Sequence, residues 1–407
     1  MIQHLKTCIF ARMQTISADY IYIGNGEILK NYAIQFDDKG VIKAILSPKE
    51  YAEKNIEPVR YPGALCPGFV NAHCHLELSH LKGKIRKQLG LNDFLDALVP
   101  LQNYAPSEQD IAQAIVEMAK QGIVAVGDIS NTKHTFRIKE KLTQLHIHTF
   151  IESFGLRPEK AQDKFFETLT LFHELKSEHK SITPHAPYSV SKPLLKELFE
   201  YACEERHILS FHLLESDTER QLFEKKQGKM YQRLLEWFGD MSFFEPDTLN
   251  PVDEWIAHFP FDPQFPKNMM HILFVHNTYL NEAELKKILE HFDKPYFVFC
   301  PNANLYIENR LPDVDMFLKN KVKICLGTDS LASNDQLSIL AEMQILHNHF
   351  PHLDLNMLIR WATLNGAEAL YIEDTYGSIA VDKRPGILWL KNTTTHLTEN
   401  SSVQRII

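Results

Sequence analysis

Between residues 14 and 47 the chain alternates apolar and polar positions in short runs (TISADYIYIG, YAIQF, VIKAIL), broken at Asn25-Gly26 and at Asp37-Asp38-Lys39-Gly40. Alternation of period two with those turn pairs predicts short strands and hairpins, and no helix there. From Cys66 onward the texture changes. Continuous apolar runs at 68–75, 123–129, 147–154, 182–185, 208–214, 272–276, 296–300 and 322–329 are separated by stretches whose apolar residues recur three and four apart. Runs apolar on both faces, alternating with helices, indicate a parallel sheet covered on both sides. Helix starts are marked by Ser107 with Asp110, by Ser191 and by Asn281. Eight such strand–helix units over about 250–300 residues predict a (β/α)8 TIM barrel, with a doubly wound open sheet as the alternative. The tail returns to β character over 376–390, with Asp382-Lys383-Arg384-Pro385-Gly386 as a turn between two runs. The two ends, 1–62 and 376–407, are therefore expected to pair into a small β-sandwich domain flanking a barrel at 63–375.

Composition narrows the class. The 407 residues carry 43 Lys and Arg against 52 Asp and Glu, a formal charge of −9, with 44% apolar and 23% charged residues. That is globular composition, and net acidity without a basic tract excludes nucleic acid as an expected partner. No run reaches the roughly 18 consecutive apolar residues of a membrane span, so no membrane partner is expected. Six scattered cysteines with no CxxC pair predict buried free thiols in a reducing compartment. The first residues lack the pattern of a secretory peptide, which makes cytoplasmic the expected location.

Chemistry is expected at the C-terminal ends of barrel strands. There the apolar runs close on His73-Cys74-His75, His185, His212, His276 and Asp329, where packing alone favours aliphatic residues. Residues i and i+2 of a strand share a face, so His73 and His75 can converge on one ion while Cys74 points away. His212 and Asp329 add a third imidazole and a carboxylate. This donor set suits one divalent metal ion, zinc foremost with Fe2+ as the alternative, and a catalytic ion of that kind lowers the pKa of bound water to about 7. Glu215, three residues beyond His212, stands where a proton shuttle would. His276 can hydrogen-bond the reacting centre or serve as a further nitrogen ligand.

The segments PGFVNAHCHLELSH, TPHAPYSVS, FHLLES, VHNTYL, CPNANLYI and LGTDSLASN together resemble the amidohydrolase superfamily, in its branch of mononuclear-metal deaminases and chlorohydrolases, over about residues 14–392. The resemblance implies a barrel with a split β-sandwich, His73, His75, His212 and Asp329 as metal ligands, Glu215 as proton shuttle, and His276 assisting the attacking water. Asp329 would then be ligand and base together. Binuclear members carry a carboxylated lysine at the end of strand four. Here that position reads SITPHAPYS, which implies a single ion and makes His185 a substrate contact. The forms HLELS and HLLES look closest to aminodeoxyfutalosine deaminases, with S-adenosylhomocysteine and methylthioadenosine deaminases nearby. The implied reaction is hydrolytic deamination of an adenine-type, purine nucleoside-like small molecule. Guanine deamination or chlorohydrolase-like displacement is the alternative, and a non-catalytic barrel the remote one. Further substrate contacts are expected from Glu77, from Asp93 as a loose match to a ribose-binding carboxylate, from Arg157 toward a substrate carboxylate, and from Asn304, although Ala303 replaces the usual serine of that motif. The aromatic-rich stretch 217–270 reads equally as a lid, as a packed surface hairpin, or as the contact of a homodimer.

Overall fold

The computed structural model describes residues 13–102, 104–260 and 270–407. The N-terminal sequence before Met13, Cys8 included, and the end of the 217–270 stretch lie outside the described residues.

Four short strands open the chain, as the alternation predicts: β1 (Gln14–Tyr22), β2 (Ile28–Lys30), β3 (Ala33–Phe36) and β4 (Ile42–Leu46). β1 pairs antiparallel with β2 and with β3, and β3 with β4. A fifth strand, β5 (Val59–Pro67), runs parallel to β1 and reaches Pro67, beyond the expected break at 62. Its first half, Val59-Arg60-Tyr61-Pro62, is largely exposed and its second half buried, so no alternation reveals it. Eight parallel strands follow: β6 (Phe69–Cys74), β7 (Ile123–Ser130), β8 (His146–Ser153), β9 (Lys180–Pro184), β10 (Leu209–Leu213), β11 (Ile272–His276), β12 (Pro295–Phe299) and β13 (Lys323–Leu326). They coincide with the eight apolar runs. The chain ends in β14 (Ile387–Lys391) and β15 (Ser402–Arg405).

The tail therefore differs from the expected pair of runs, since 376–381 forms no strand. Gly377 and Asp382 take positive φ of 82° and 68°, and the segment instead bonds singly to the first hairpins, Ile379 N to Ile23 O and Asp382 N to Ile42 O. Hydrogen bonding joins β15-β14-β5-β1-β3-β4, with β2 on β1, into one sheet of seven strands drawn from both ends of the chain. Ile16, Ile21, Ile34, Phe36, Leu65 and Ile387 pack together on it as a core of their own.

The barrel strands form two four-stranded parallel sheets, β6–β9 and β10–β13. They meet at two seams where side chains stand in for the ladder. Between β9 and β10, Thr183 Oγ1 both donates to Ser210 O (2.6 Å) and accepts from Ser210 N (2.9 Å), and His212 N donates to His185 O (2.9 Å). Between β13 and β6, Asn71 accepts from Thr328 N (3.1 Å) and donates to Thr328 Oγ1 (2.7 Å), while Asp329 N donates to His73 O (3.1 Å). Gly327 permits that approach, because a Cβ there would meet the Cβ and O of His73 and the Sγ of Cys300 at 3.0 Å. Both seams end at residues of the predicted site.

Helices cover the barrel, the capping box expected at Ser107–Asp110 is present, and Asn281 caps its helix as expected, in a box completed by Glu284. Ser191 stands at a helix N-cap without a side-chain bond. Cys66, Cys74, Cys203, Cys300 and Cys325 are buried and unpaired, as expected. No helix of the described residues is long and apolar enough to cross a membrane.

One buried ion pair, Lys139 with Asp128, lies beneath the first loop. Lys139 Nζ also donates to Ser130 Oγ (2.9 Å) and Thr149 Oγ1 (3.2 Å), and the other Asp128 oxygen accepts from Leu76 N (2.8 Å), directly after His75. Removing one partner leaves a buried charge unmatched. Lys139→Met is expected to lower stability by about 3–5 kcal/mol in equilibrium urea unfolding, and an unchanged midpoint would show that the pair contributes nothing.

Candidate active site

The strand ends bring the expected donors together. His73 Nε2 and His75 Nε2 lie 3.0 Å apart, and Asp329 Oδ1 stands 3.8 and 3.4 Å from them. The His212 ring centre is 5.0 Å from that of His73 and 5.1 Å from that of His276. One ligand atom from each of His73, His75 and Asp329 falls within a 4.8 Å cluster, as do His73, His212 and His276, and likewise Glu152, His185 and His212. His73 Nδ1 and both nitrogens of His212 are buried without hydrogen-bond partners. Buried donors of that kind call for a ligand. Burial drives the His73 imidazole well below its usual range and His212 to about 3, so both rings are neutral and free to coordinate. Burial raises the Asp329 carboxyl, but electrostatic interaction with the His75 and His276 rings and the Ser333 hydroxyl outweigh it and hold the group below the usual carboxylate range. Neutral imidazoles around an ionised carboxylate fit a divalent cation.

Three backbone positions here lie in the left-handed region: Leu214 (φ 46°), His276 (70°) and Asp329 (55°). Such angles disfavour side-chain-bearing residues and persist only where surroundings enforce them. At Leu214 the enforcing group is Glu219, whose buried carboxylate accepts from Leu214 N (3.0 Å), Glu215 N (2.8 Å) and Ser216 N (3.2 Å). Glu215 is thereby fixed with Oε2 3.7 Å from His276 Nε2. Burial and the neighbouring Asp329 charge push its carboxyl well above the usual range.

His185 enters the cluster with its ring 4.8 Å from that of His212, and its Nδ1 lies 2.7 Å from Ser189 Oγ. The other expected substrate contacts have different partners. Glu77 binds Asn131 N and Thr132 N and Oγ1 at 3.1–3.2 Å, anchoring the loop after β7. Asp93, half-exposed in the first turn of the helix Leu91–Leu101, faces Lys229 at 3.6 Å. Arg157 donates to Phe238 O (3.0 Å) and lies over the rings of Phe238 and Phe243, so it ties down the helix Gly228–Phe238. Asn304 is buried and spends both ends of its amide, with Oδ1 2.9 Å from His276 Nδ1 and Nδ2 donating to Thr278 Oγ1 (3.0 Å). The long stretch after Glu215 folds into the helices Asp217–Lys225, Gly228–Phe238 and Pro251–His258. Phe223, Met230, Leu234 and Phe244 join Leu81 and Phe94, from the segments after β6, in a separate apolar cluster above the barrel.

Two site carboxylates escaped the sequence reading. Glu219 was legible as the fourth residue of a Ser-x-x-Glu capping box starting at Ser216, a pattern that was present but not used. Glu152 closes the apolar run of β8 as the histidines close theirs, so the same strand-end criterion would have found it.

The match to a family model described as "Amidohydrolase family" covers residues 64–407. An adenosine deaminase of Helicobacter pylori is 28% identical over 397 residues, spanning 91% of this chain and 90% of that protein. Among solved structures, the H. pylori aminofutalosine deaminase in complex with methylthio-coformycin superposes with a TM-score of 0.81 at 22% identity, covering 97% of this chain and all of that one. A Xanthomonas campestris adenosine deaminase with bound zinc superposes at 0.70 and 21% identity, covering 93% and 84%. With the model spanning most of the chain and the fold agreeing over nearly all of it, this protein belongs to the amidohydrolase family.

Proposed function

We propose that the chain is a hydrolytic deaminase of an adenine-type nucleoside, dependent on one divalent metal ion, with zinc the favoured ion. The observation that carries this reading is the convergence of His73, His75, His212 and Asp329 beside a buried Glu215. Similarity to adenosine and aminofutalosine deaminases supports the substrate class, and the zinc-containing relative supports the ion. The absence of a lysine at the end of β9, where His185 stands, supports a single ion. A divalent ion in that cage supplies an activated water and a Lewis acid at the amine-bearing carbon.

The protein's own groups divide the proton work. Two carboxyls side by side are pushed apart by their surroundings, Glu215 toward the protonated form and Asp329 toward the ionised one. That separation assigns acid and base. Glu215 delivers its proton to a ring nitrogen of the nucleoside and later assists the departing ammonia, while Asp329 accepts the proton of the attacking water. His276 is held as one tautomer. With the Asn304 amide nitrogen committed to Thr278, its oxygen accepts from His276 Nδ1, which leaves Nε2 as an acceptor facing Glu215. His185 lines the substrate side of His212. The left-handed backbone at His276 and Asp329 aims both side chains inward.

Ammonia release from adenosine, methylthioadenosine, S-adenosylhomocysteine and aminodeoxyfutalosine, with guanine and chlorotriazines alongside, tests the reading. Turnover of at least one adenine nucleoside is expected, and none by the metal-loaded enzyme refutes it. His212→Ala is expected to lose bound metal by elemental analysis. Glu215→Gln is expected to retain metal while losing about 100- to 10,000-fold in kcat. Asn304→Ala, which frees the His276 ring, is expected to keep metal and fold yet lose about 10- to 100-fold in kcat, with partial recovery in Asn304→Asp, where an acceptor for Nδ1 remains.

A further inference from the structure

Glu152 lies at the C-terminal end of β8, buried to 5% exposure, on the same strand face as the interior residue Phe150. Its two carboxylate oxygens differ. Oε2 accepts from Asn131 Nδ2 (2.8 Å), and the Asn131 backbone is in turn anchored by Glu77. Oε1 has no hydrogen-bond donor, and its nearest polar neighbour at the site is His212 Nε2 at 3.6 Å, with His185 in the same cluster. Among the described residues it is the one buried carboxylate oxygen left without a donor. The other acidic groups near the strand ends are spoken for: Glu77 by the loop 131–132, Asp128 by Lys139 and Leu76 N, Glu219 by three backbone amides. A buried acceptor left bare is costly unless something donates to it when the site is in use.

The chemistry of the nucleoside narrows what that donor is. A carboxylate only accepts. The ring nitrogens N1, N3 and N7 of an adenine are themselves acceptors, so the donors on offer are the exocyclic amine and the ribose hydroxyls. The amine is the leaving group, gathered by the ion cage with Glu215 and Asp329 at the ends of β6, β10 and β13. Glu152 and His185 close β8 and β9 and meet that cage at His212, whereas Glu215 faces His276 and Asp329 faces His73 and His75. We propose that Glu152 is a substrate-binding residue that accepts hydrogen bonds from the 2′- and 3′-hydroxyls of the nucleoside, the part the sequence suggested for Asp93. The proposal rests on the adenine-nucleoside reading above.

The test compares each adenine ribonucleoside that the wild-type enzyme turns over with its 2′,3′-dideoxy analogue. In Glu152→Gln, kcat/KM for the ribonucleoside is expected to fall about 10- to 100-fold, mainly through KM, because a charged acceptor is replaced by a neutral amide. The dideoxy analogue, which lacks the 2′- and 3′-hydroxyls, is expected to change less than about 3-fold. Bound metal, measured on the same preparations, is expected to match wild type. Asn131→Ala, which releases Oε2, is expected to show the same hydroxyl-dependent loss at smaller size, and it carries the test should the first variant not fold. Equal losses on both substrates, or loss of metal, would overturn the role of Glu152 while leaving the deaminase reading intact. A wild-type enzyme inactive on every adenine nucleoside would instead sink the deaminase reading itself.

Discussion

The rim of the barrel is organised by the free energy of keeping ionisable groups out of water. His73, His75, His212, His276, Glu215 and Asp329 are all buried within a few ångströms of one another. Removing one isolated charge from water is prohibitive, so the groups settle into a pattern in which few carry charge. The buried imidazoles His73 and His212 become neutral, Glu215 is driven toward its protonated form, and Asp329 stays ionised because His75, His276 and the Ser333 hydroxyl face it. That pattern leaves lone pairs aimed at a common point beside one carboxylate. The same desolvation that makes the cluster expensive without a cation makes it a strong binder of one.

The scaffold meets this constraint with backbone geometry as well as with side chains. Ordinary parallel ladders give out at the two seams, β9–β10 and β13–β6, and at both a threonine or asparagine side chain completes the bonding. A strand freed from its ladder can end in a left-handed residue, as Asp329 does, and re-aim its side chain into the barrel. Gly327 supports the second seam by admitting β13 against His73. Glu219 supports the first by gathering three amides that the turn around Leu214 would leave bare. The strand-end cluster is thus held by residues that lie outside it.

How much of this was readable beforehand follows from the range of the interactions. Strand runs and capping boxes are local patterns, and the eight barrel strands and the Ser107 and Asn281 helix starts fell where periodicity placed them. Histidines and an aspartate interrupting apolar runs were equally local, so the ion cage was legible. β5 and the tail strands were harder, because a strand exposed over its first half and a turn-rich segment differ little in composition. The partners of Glu77, Arg157 and Asn304 lie 54, 81 and 28 positions away. No one-dimensional pattern distinguishes a carboxylate that will clamp Asn131 from one that will touch substrate. Asp93 is ambiguous for a related reason, since a carboxylate in the first turn of a helix is stabilised there by the helix dipole whatever else it does.

The same distinction bears on how a barrel of this kind changes substrate without losing its chemistry. The cage and its proton groups hang from strand ends and seams, where a shift of one residue would undo several hydrogen bonds together. The helices from Asp217 to His258 pack above the rim through Phe223, Met230, Leu234 and Phe244 against Leu81 and Phe94, an apolar contact that tolerates exchange of one aliphatic or aromatic group for another of similar volume. Arg157 binds that layer to the end of β8 through the carbonyl of Phe238, only five residues from Glu152. A change in the covering helices can therefore shift that layer while the groups on β6, β10, β11 and β13 keep their positions. The strand-end cluster and the layer above it are held by different kinds of contact, directional hydrogen bonds for the first and apolar packing for the second.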